Sequence, residues 1–346
     1  MPVKYSIMVP RINISFSLRR QWLFVCGKPY IPQSNEFLLN HARTGLLIAL
    51  QALGLKENSK VGVMAYNCHT VTEAVVQAGC KPVFIDVTDM LQLDKQDLYK
   101  KSQDIDALIV THLFGIENDI TSIREIIKDV PIIEDCAHAG GKVHTEGDFA
   151  VYSIGQGKLP SIGDGGILVV NNRRWQCATE QIYRCVPSYT RWQETKLWMQ
   201  LWIKAVLYAP VIYDMITYRL KQKRNEVNHS MIDVRRMSKG IRAIYNIERK
   251  NIDSQIVTQQ KNAAYWNSQM KDMVQGTIVG DNAFMLVAHT KDVDALKRWF
   301  KRYGIETATH FAHTIDWAEK FGYKRGTCPI AEKLTKELLM VPTYSL

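Results

Sequence analysis

Pro131-Ile132-Ile133-Glu134-Asp135 is an apolar run that ends in two carboxylates, and its reading decides the fold. A short run that is apolar throughout, with no alternation, belongs to a strand buried on both faces, as in a parallel sheet covered by helices. Its neighbours repeat the pattern. Upstream, residues 61–65, 82–87 and 107–112 read as strands, separated by helical patterns over 46–55, 70–79 and 121–128, with Gly54 and Gly79 as helix stops. Downstream, 149–154 and 166–170 read as two more strands. Alternation of this kind predicts an α/β domain with a mostly parallel central sheet.

Beyond residue 172 the texture changes. Residues 173–224 form a helical excursion rich in aromatics, among them Trp192, Trp198, Trp202, Tyr208, Tyr213 and Tyr218. Residues 238–270 read as one or more helices, and 283–288, 293–303, 305–311 and 331–339 as strand, helix, strand, helix. The expectation is a large domain over 1–230, with an N-terminal arm and the excursion, and then a linking helix and a smaller C-terminal α/β domain over 231–346.

Composition narrows the function without choosing it. The chain has 346 residues, and 44 Lys+Arg against 34 Asp+Glu give a formal net charge of +10. Such a surplus suits nucleic acid, a membrane surface or an anionic metabolite. No RNP sequence or finger spacing is present, so no nucleic-acid partner is expected. The seven cysteines are scattered with no CxxC pair, which argues against a zinc ribbon or redox dithiol and fits a reducing cytoplasm. No signal-peptide pattern follows Lys4, Arg11, Arg19 and Arg20. The apolar stretch 197–220 contains Lys204, Pro210, Asp214 and Arg219, which makes a membrane span unfavourable.

Chemistry concentrates where strands end. Asp135 closes one strand and Lys158 follows another, so both lie at carboxyl ends, where open parallel sheets bind ligands. Gly155, Gly157 and Gly163-Asp164-Gly165-Gly166 surround the lysine with backbone that can approach a ligand closely. Arg43-Thr44 stand before the helix 46–55, where N–H groups, a hydroxyl and a guanidinium together suit a phosphate. Taken singly, these are an ion pair, a turn and a helix cap. Together they describe a pyridoxal 5′-phosphate (PLP) site with a lysine for the aldehyde, an acid for the ring nitrogen and a phosphate cup.

From His41 onward the chain resembles the DegT/DnrJ/EryC1/StrS sugar aminotransferases, which have the aspartate aminotransferase fold (fold type I). The resemblance rests on ordered blocks that include Ala42-Arg43-Thr44-Gly45-Leu46, Ala78-Gly79-Cys80-Lys81-Pro82-Val83-Phe84-Ile85-Asp86 and Thr111-His112-Leu113-Phe114-Gly115. Further blocks are Ile133-Glu134-Asp135-Cys136-Ala137-His138-Ala139, Ser153-Ile154-Gly155-Gln156-Gly157-Lys158 and Cys328-Pro329-Ile330-Ala331-Glu332. It implies that Lys158 bonds to the cofactor, that Asp135 pairs with the ring nitrogen and that His138 lies near the phenolic oxygen. Ser153, Arg43 and Thr44 would meet the phosphate. Relatives that remove a sugar hydroxyl carry histidine in place of the lysine, so Lys158 favours amino transfer. The implied activity moves an amino group, from an amino-acid donor such as glutamate, onto a nucleotide-linked keto sugar. A cytoplasmic homodimer is implied with it.

Several positions depart from the family. Cys68 stands where an aromatic residue usually covers the cofactor ring, which leaves His69 as a substitute. Val234 stands where an asparagine usually reaches the partner's phosphate, which leaves Arg235 or Arg236. His310 and His313 are the candidates for a substrate-facing histidine. Their spacing also suits a shared metal, but no third ligand accompanies them, so no metal site is expected. The aromatic stretch 196–224 reads first as core and dimer surface; the alternative is a peripheral contact of this face and the Lys221–Arg224 cluster with an anionic inner membrane surface. Two rival functions share the fold, another PLP-dependent reaction and a non-catalytic binding protein.

Overall fold

The computed structural model describes residues 8–12, 14–218 and 231–344. In chain order the first half of the chain contains α1 (Leu18–Cys26), β1 (Glu36–Leu39), α2 (Ala42–Ala52), β2 (Lys60–Met64), α3 (His69–Gln77), β3 (Lys81–Ile85), α4 (Lys95–Lys101), β4 (Ala107–Thr111), α5 (Ile120–Ile127), β5 (Ile132–Asp135), β6 (Phe149–Ser153) and β7 (Gly166–Val170). The seven strands form one sheet in the order β1-β7-β6-β5-β4-β2-β3. From β3 to β6 every pairing is parallel; β7 and β1 add antiparallel strands at one side. The α/β expectation is met.

Register explains where the site lies. Thr111 pairs with Asp135 and Asp135 with Val151, so β4 and β5 end level at one edge of the sheet and β6 runs two residues further, to Ser153. Behind that edge all of β4 and β5 is buried, as their unbroken apolar runs require. Helix α4 was not anticipated from periodicity, but Asp94 caps it by accepting the N–H groups of Gln96 and Asp97. β1 is only four residues long and shows no alternation, which hides it in the sequence.

The excursion is helical, as expected: α6 (Gln176–Cys185), α7 (Arg191–Leu207) and a short helical stretch from Pro210 to Thr217. A capping box at Thr190 and Gln193 starts α7. Leu197 and Leu201 anchor it in a cluster with Phe16, Leu23, Ile241 and Ile244. Contact is close enough that a Cβ on Gly163, whose φ is +118°, would sit 2.6 Å from Leu201 Cδ2. Lys221–Arg224 lie outside the described residues, and the expected boundary at 230/231 falls at their edge. Among the described residues no helix is long and apolar enough to cross a membrane.

The C-terminal part contains helices Lys239–Glu248 and Ile252–Met270, then β8 (Gly276–Val279), β9 (Met285–His289) and β10 (Leu338–Pro342) in an antiparallel sheet ordered β10-β9-β8. Two expectations need correction here. Residues 305–311 are not a strand; they make only isolated bridges, Val9 with Ile305 and Ala308 with Met340, and Phe311 turns away at φ +60°. The helix expected over 331–339 spans Pro329–Glu337, and Leu338–Pro342 then pairs with β9, burying all five residues.

Candidate active site

A cavity of about 340 Å³ opens at the carboxyl ends of β4, β5 and β6, bordered by Asp135, His138, Ser153, Lys158, Arg43 and Cys68. Lys158 reaches it because β6 ends at Ser153 and the chain folds back, with the Lys158 N–H donating to the Gly155 carbonyl at 3.2 Å. Gly157 permits that turn at φ +67°, where a Cβ would also meet Ile12 Cγ2 at 2.6 Å. The lysine amine lies 5.6 Å over the Phe284 ring and makes no hydrogen bond among the described residues. Burial pushes its pKa below the ordinary lysine value, against the pull of Cys68 and Asp135.

Asp135 is 4% exposed. Thr111 Oγ1 donates to Oδ2 at 3.3 Å and the Ala137 N–H donates to Oδ1 at 3.1 Å, so the carboxylate is oriented from two sides. Burial raises its pKa; those two donors and the Lys158 charge pull the other way without cancelling it. A cationic ring nitrogen beside this carboxylate would supply the charge partner that burial calls for.

His138 is packed between Phe114 and Phe284, with ring centroids at 5.3 and 4.6 Å. Its Nδ1 accepts the Phe114 N–H at 3.1 Å, which puts the ring proton on Nε2 and leaves that atom a donor. Burial, then the charges of Lys158 and His310, hold its pKa well below the usual histidine value, so the ring stays neutral. Ser153 Oγ accepts the Gly155 N–H at 3.4 Å at the cavity wall.

Helix α2 starts earlier than expected, so Arg43 and Thr44 occupy its first turn, and no side chain caps it at His41. Unpaired N–H groups therefore face the Arg43 end, and Arg43 Nε is buried without a hydrogen-bond partner. Thr44 does not follow its neighbour to the cavity wall. It is fully buried, and its hydroxyl donates to Asn40 Oδ1 at 2.8 Å.

The remaining candidates divide. Cys68 borders the cavity as the residue preceding α3, with Sγ 3.1 Å from Thr70 Oγ1. Burial would raise its thiol pKa, but the bond and charge of His69, aided by Thr70, outweigh this and lower it. His69, the first residue of α3, is not among the residues that border the cavity; its ring lies edge-on to Trp317 at 4.6 Å and bonds the Cys68 thiol. Arg236 does not border the cavity either. Its guanidinium donates to the carbonyls of Tyr183 and Arg184 at 3.1 Å each and stacks 4.8 Å from the Tyr183 ring. Val234 packs against the large core and Arg235 pairs with Asp233. His310 faces Phe114, whereas His313 is exposed and pairs with Asp316.

Thr111, part of one of the sequence blocks but given no role there, holds Asp135. Two other wall residues left no signal that motif reading could find: Phe311 borders the cavity from the C-terminal part, and Lys204 borders it from α7. Behind the site, His112, Glu134, Cys136 and His144 converge. Hydrogen bonding already uses the first pair: His112 Nδ1 accepts the Asn118 N–H, so Nε2 carries the proton toward Glu134 at 3.0 Å. A metal on Nε2 would need the lone pair that this tautomer lacks. Glu134 also accepts the Gly147 N–H, lies 3.4 Å from His144 Nδ1, and anchors the end of β5 next to Asp135.

The residues fit PLP: a half-buried amine that makes no hydrogen bond among the described residues, a buried acid at the end of the adjacent strand, and an uncapped helix start with a buried, unmatched guanidinium Nε. Comparison with known proteins agrees. GDP-perosamine synthase of Vibrio cholerae is 32% identical over 154 residues, which span 40% of this chain and 42% of that relative. An uncharacterised protein of Methanocaldococcus jannaschii is 24% identical over 336 residues, 91% of this chain and 82% of that one. A Streptococcus pneumoniae protein solved with PLP has the same fold, with a TM-score of 0.72 at 12% identity over 99% of this chain and 94% of that one. Residues 30–346 match the DegT/DnrJ/EryC1/StrS aminotransferase family, and the chain belongs to that family of PLP-dependent enzymes.

Proposed function

We propose that this protein is an aminotransferase that moves an amino group from an amino acid such as glutamate onto a nucleotide-linked keto sugar. The observation that carries the reading is the meeting of Lys158 and Asp135 at one cavity with the Arg43 end of α2. PLP supplies the aldehyde that takes up the amine and the ring that accepts the electron pair released at the substrate carbon. Asp135 would keep that ring's nitrogen protonated, and Thr111 with the Ala137 N–H holds the carboxylate in place. Lys158 Nζ, made less basic by burial, would take the proton from the amino-donor carbon and return it to the cofactor's aldehyde carbon, on the other side of the transferred nitrogen. His138 offers its Nε2–H to a ligand oxygen, and Ser153, Arg43 and the α2 N–H groups would hold the phosphate. Cys68 lines the wall without covering a ring as an aromatic side chain would.

The relative named GDP-perosamine synthase supports a nucleotide-linked sugar as acceptor. Glutamate added to the PLP-loaded protein should discharge the visible absorbance of the lysine-bound cofactor, and a nucleotide-linked keto sugar should restore it. Absorbance that no amino donor discharges would refute the reading.

The protein works in this reading as a cytoplasmic homodimer. The support is an exposed apolar face on α7 and the stretch after it, where Trp202, Ile203, Val211 and Ile216 are 45–58% exposed. Sedimentation should give a dimer that Trp202→Glu weakens. A monomer that instead co-sediments with anionic vesicles would assign the face to a membrane surface.

A further inference from the structure

A second cavity of about 470 Å³ adjoins the first, and His41, Arg43, Gly163 and Lys204 form walls of both. Its far side is the polar stripe of α7, Gln193, Lys196, Gln200 and Lys204, spaced so that all four lie on one face of the helix. Leu197 and Leu201, on the adjoining strip of the helix, border the same cavity and enter the core beside it, so their packing fixes the direction in which the stripe points.

Charge in this chamber is unbalanced. Of its two carboxylates, Asp233 is paired with Arg235 at 2.8 Å, and Asp164 lies 2.9 Å from His41 Nδ1, so at most two negative charges in the chamber face its cations. Among the described residues Lys196, Lys204 and Arg43 make no ion pair. Three cations thus stand around a polar chamber that adjoins the amine-bearing cavity. Lys196 and Lys204 are exposed, so together with Arg43 they give this side of the chamber a positive potential that an anionic group would meet on entering. One phosphate accounts for the Arg43 end of α2, but Lys196 borders only the second chamber.

We propose that the α7 stripe, with Lys196 and Lys204 as its cations, binds the diphosphate of the substrate and thereby directs the attached sugar toward Lys158. This rests on the aminotransferase reading and names the part of the substrate that the excursion recognises. The excursion then serves as one wall of the site as well as a surface.

The test is a calorimetric titration of the PLP-loaded protein with pyrophosphate and with UDP, in wild type, Lys196→Gln, Lys204→Gln, Lys196→Arg and a charge control, Lys271→Gln. Each glutamine substitution in the stripe should weaken both probes about fivefold to tenfold, the size of one charge-assisted contact, while Lys196→Arg restores binding and Lys271→Gln behaves as wild type. Unchanged affinities in both stripe variants would overturn the proposal. So would equal weakening by Lys271→Gln, which would mean net charge alone, or loss of cofactor with no change in probe affinity, which would assign the lysines to the cofactor phosphate. A cofactor whose colour no amino donor discharges refutes amino transfer and leaves these titrations as they stand, so the two failures are distinguishable.

Discussion

The carboxyl edge of the sheet and helix α7 both border the cavity at Lys158, yet they are built by different means. At the sheet edge, position follows from chain direction: a residue that ends a buried parallel strand lies on the ligand side whatever its neighbours are. On α7 nothing local aims Lys204. Its placement depends on Leu197 and Leu201 entering a core shared with α1 and the helix Lys239–Glu248, and on Gly163 leaving room for Leu201. The first region is fixed by backbone pairing; the second is fixed by side-chain packing, and can be moved without unfolding the sheet.

The largest effect should come from the edge. Lys158→Ala removes both the bond to the cofactor and the proton carrier, and turnover should fall by at least about 10³-fold, with no rescue of the bound-cofactor absorbance. Asp135→Asn keeps the shape and removes the charge; a drop of roughly 10²- to 10³-fold in the glutamate half-reaction is expected by stopped-flow absorbance. Near-wild-type rates in either would show that the edge does not carry the chemistry.

Glu134 tests whether the edge is held rigid from behind. Burial alone would raise its pKa, but the donors His112, His144 and Gly147 outweigh it and hold it at about 2, below its ordinary 4.5. A folded-state pKa below the unfolded one adds stability above about pH 4.5, lost as pH falls toward about 2. Glu134→Gln should therefore destabilise the protein by about 3 kcal/mol near neutral pH and flatten the acid side of its stability profile, as read by denaturant melts. An unchanged acid limb would remove Glu134 from the account.

The smallest effect belongs to the packed region. Gly163→Val introduces a side chain at φ +118° against Leu201 and should cost about 1–3 kcal/mol. It should also shift α7 enough to weaken pyrophosphate binding, while the Lys158 bond to the cofactor still forms. Equal loss of both would mean that the two regions move as one.

This contrast also sets what could be read from the chain. The strands from β2 to β7 were legible to within one or two residues, because unbroken apolar runs bounded by glycine or a capping acid leave few alternatives. Asp135, His138, Ser153, Lys158 and Arg43 came with them. Thr44 and His69 did not, because sequence gives an address in a helix and not the direction of a side chain; each sits one position from a residue that borders the cavity. Residues 305–311 have strand composition but no continuous partner strand, and 338–342 were hidden at the end of a helical pattern that changes period there. Lys204 was hidden most thoroughly, since its role depends on a close approach between α7 and Gly163 that no local pattern records.

The most direct test of the central claim is borohydride reduction of the PLP-loaded protein followed by peptide mapping. A single reduced adduct on Lys158, absent from Lys158→Ala, is the predicted result. An adduct on a different lysine, or a protein that binds no PLP at all, would contradict the account.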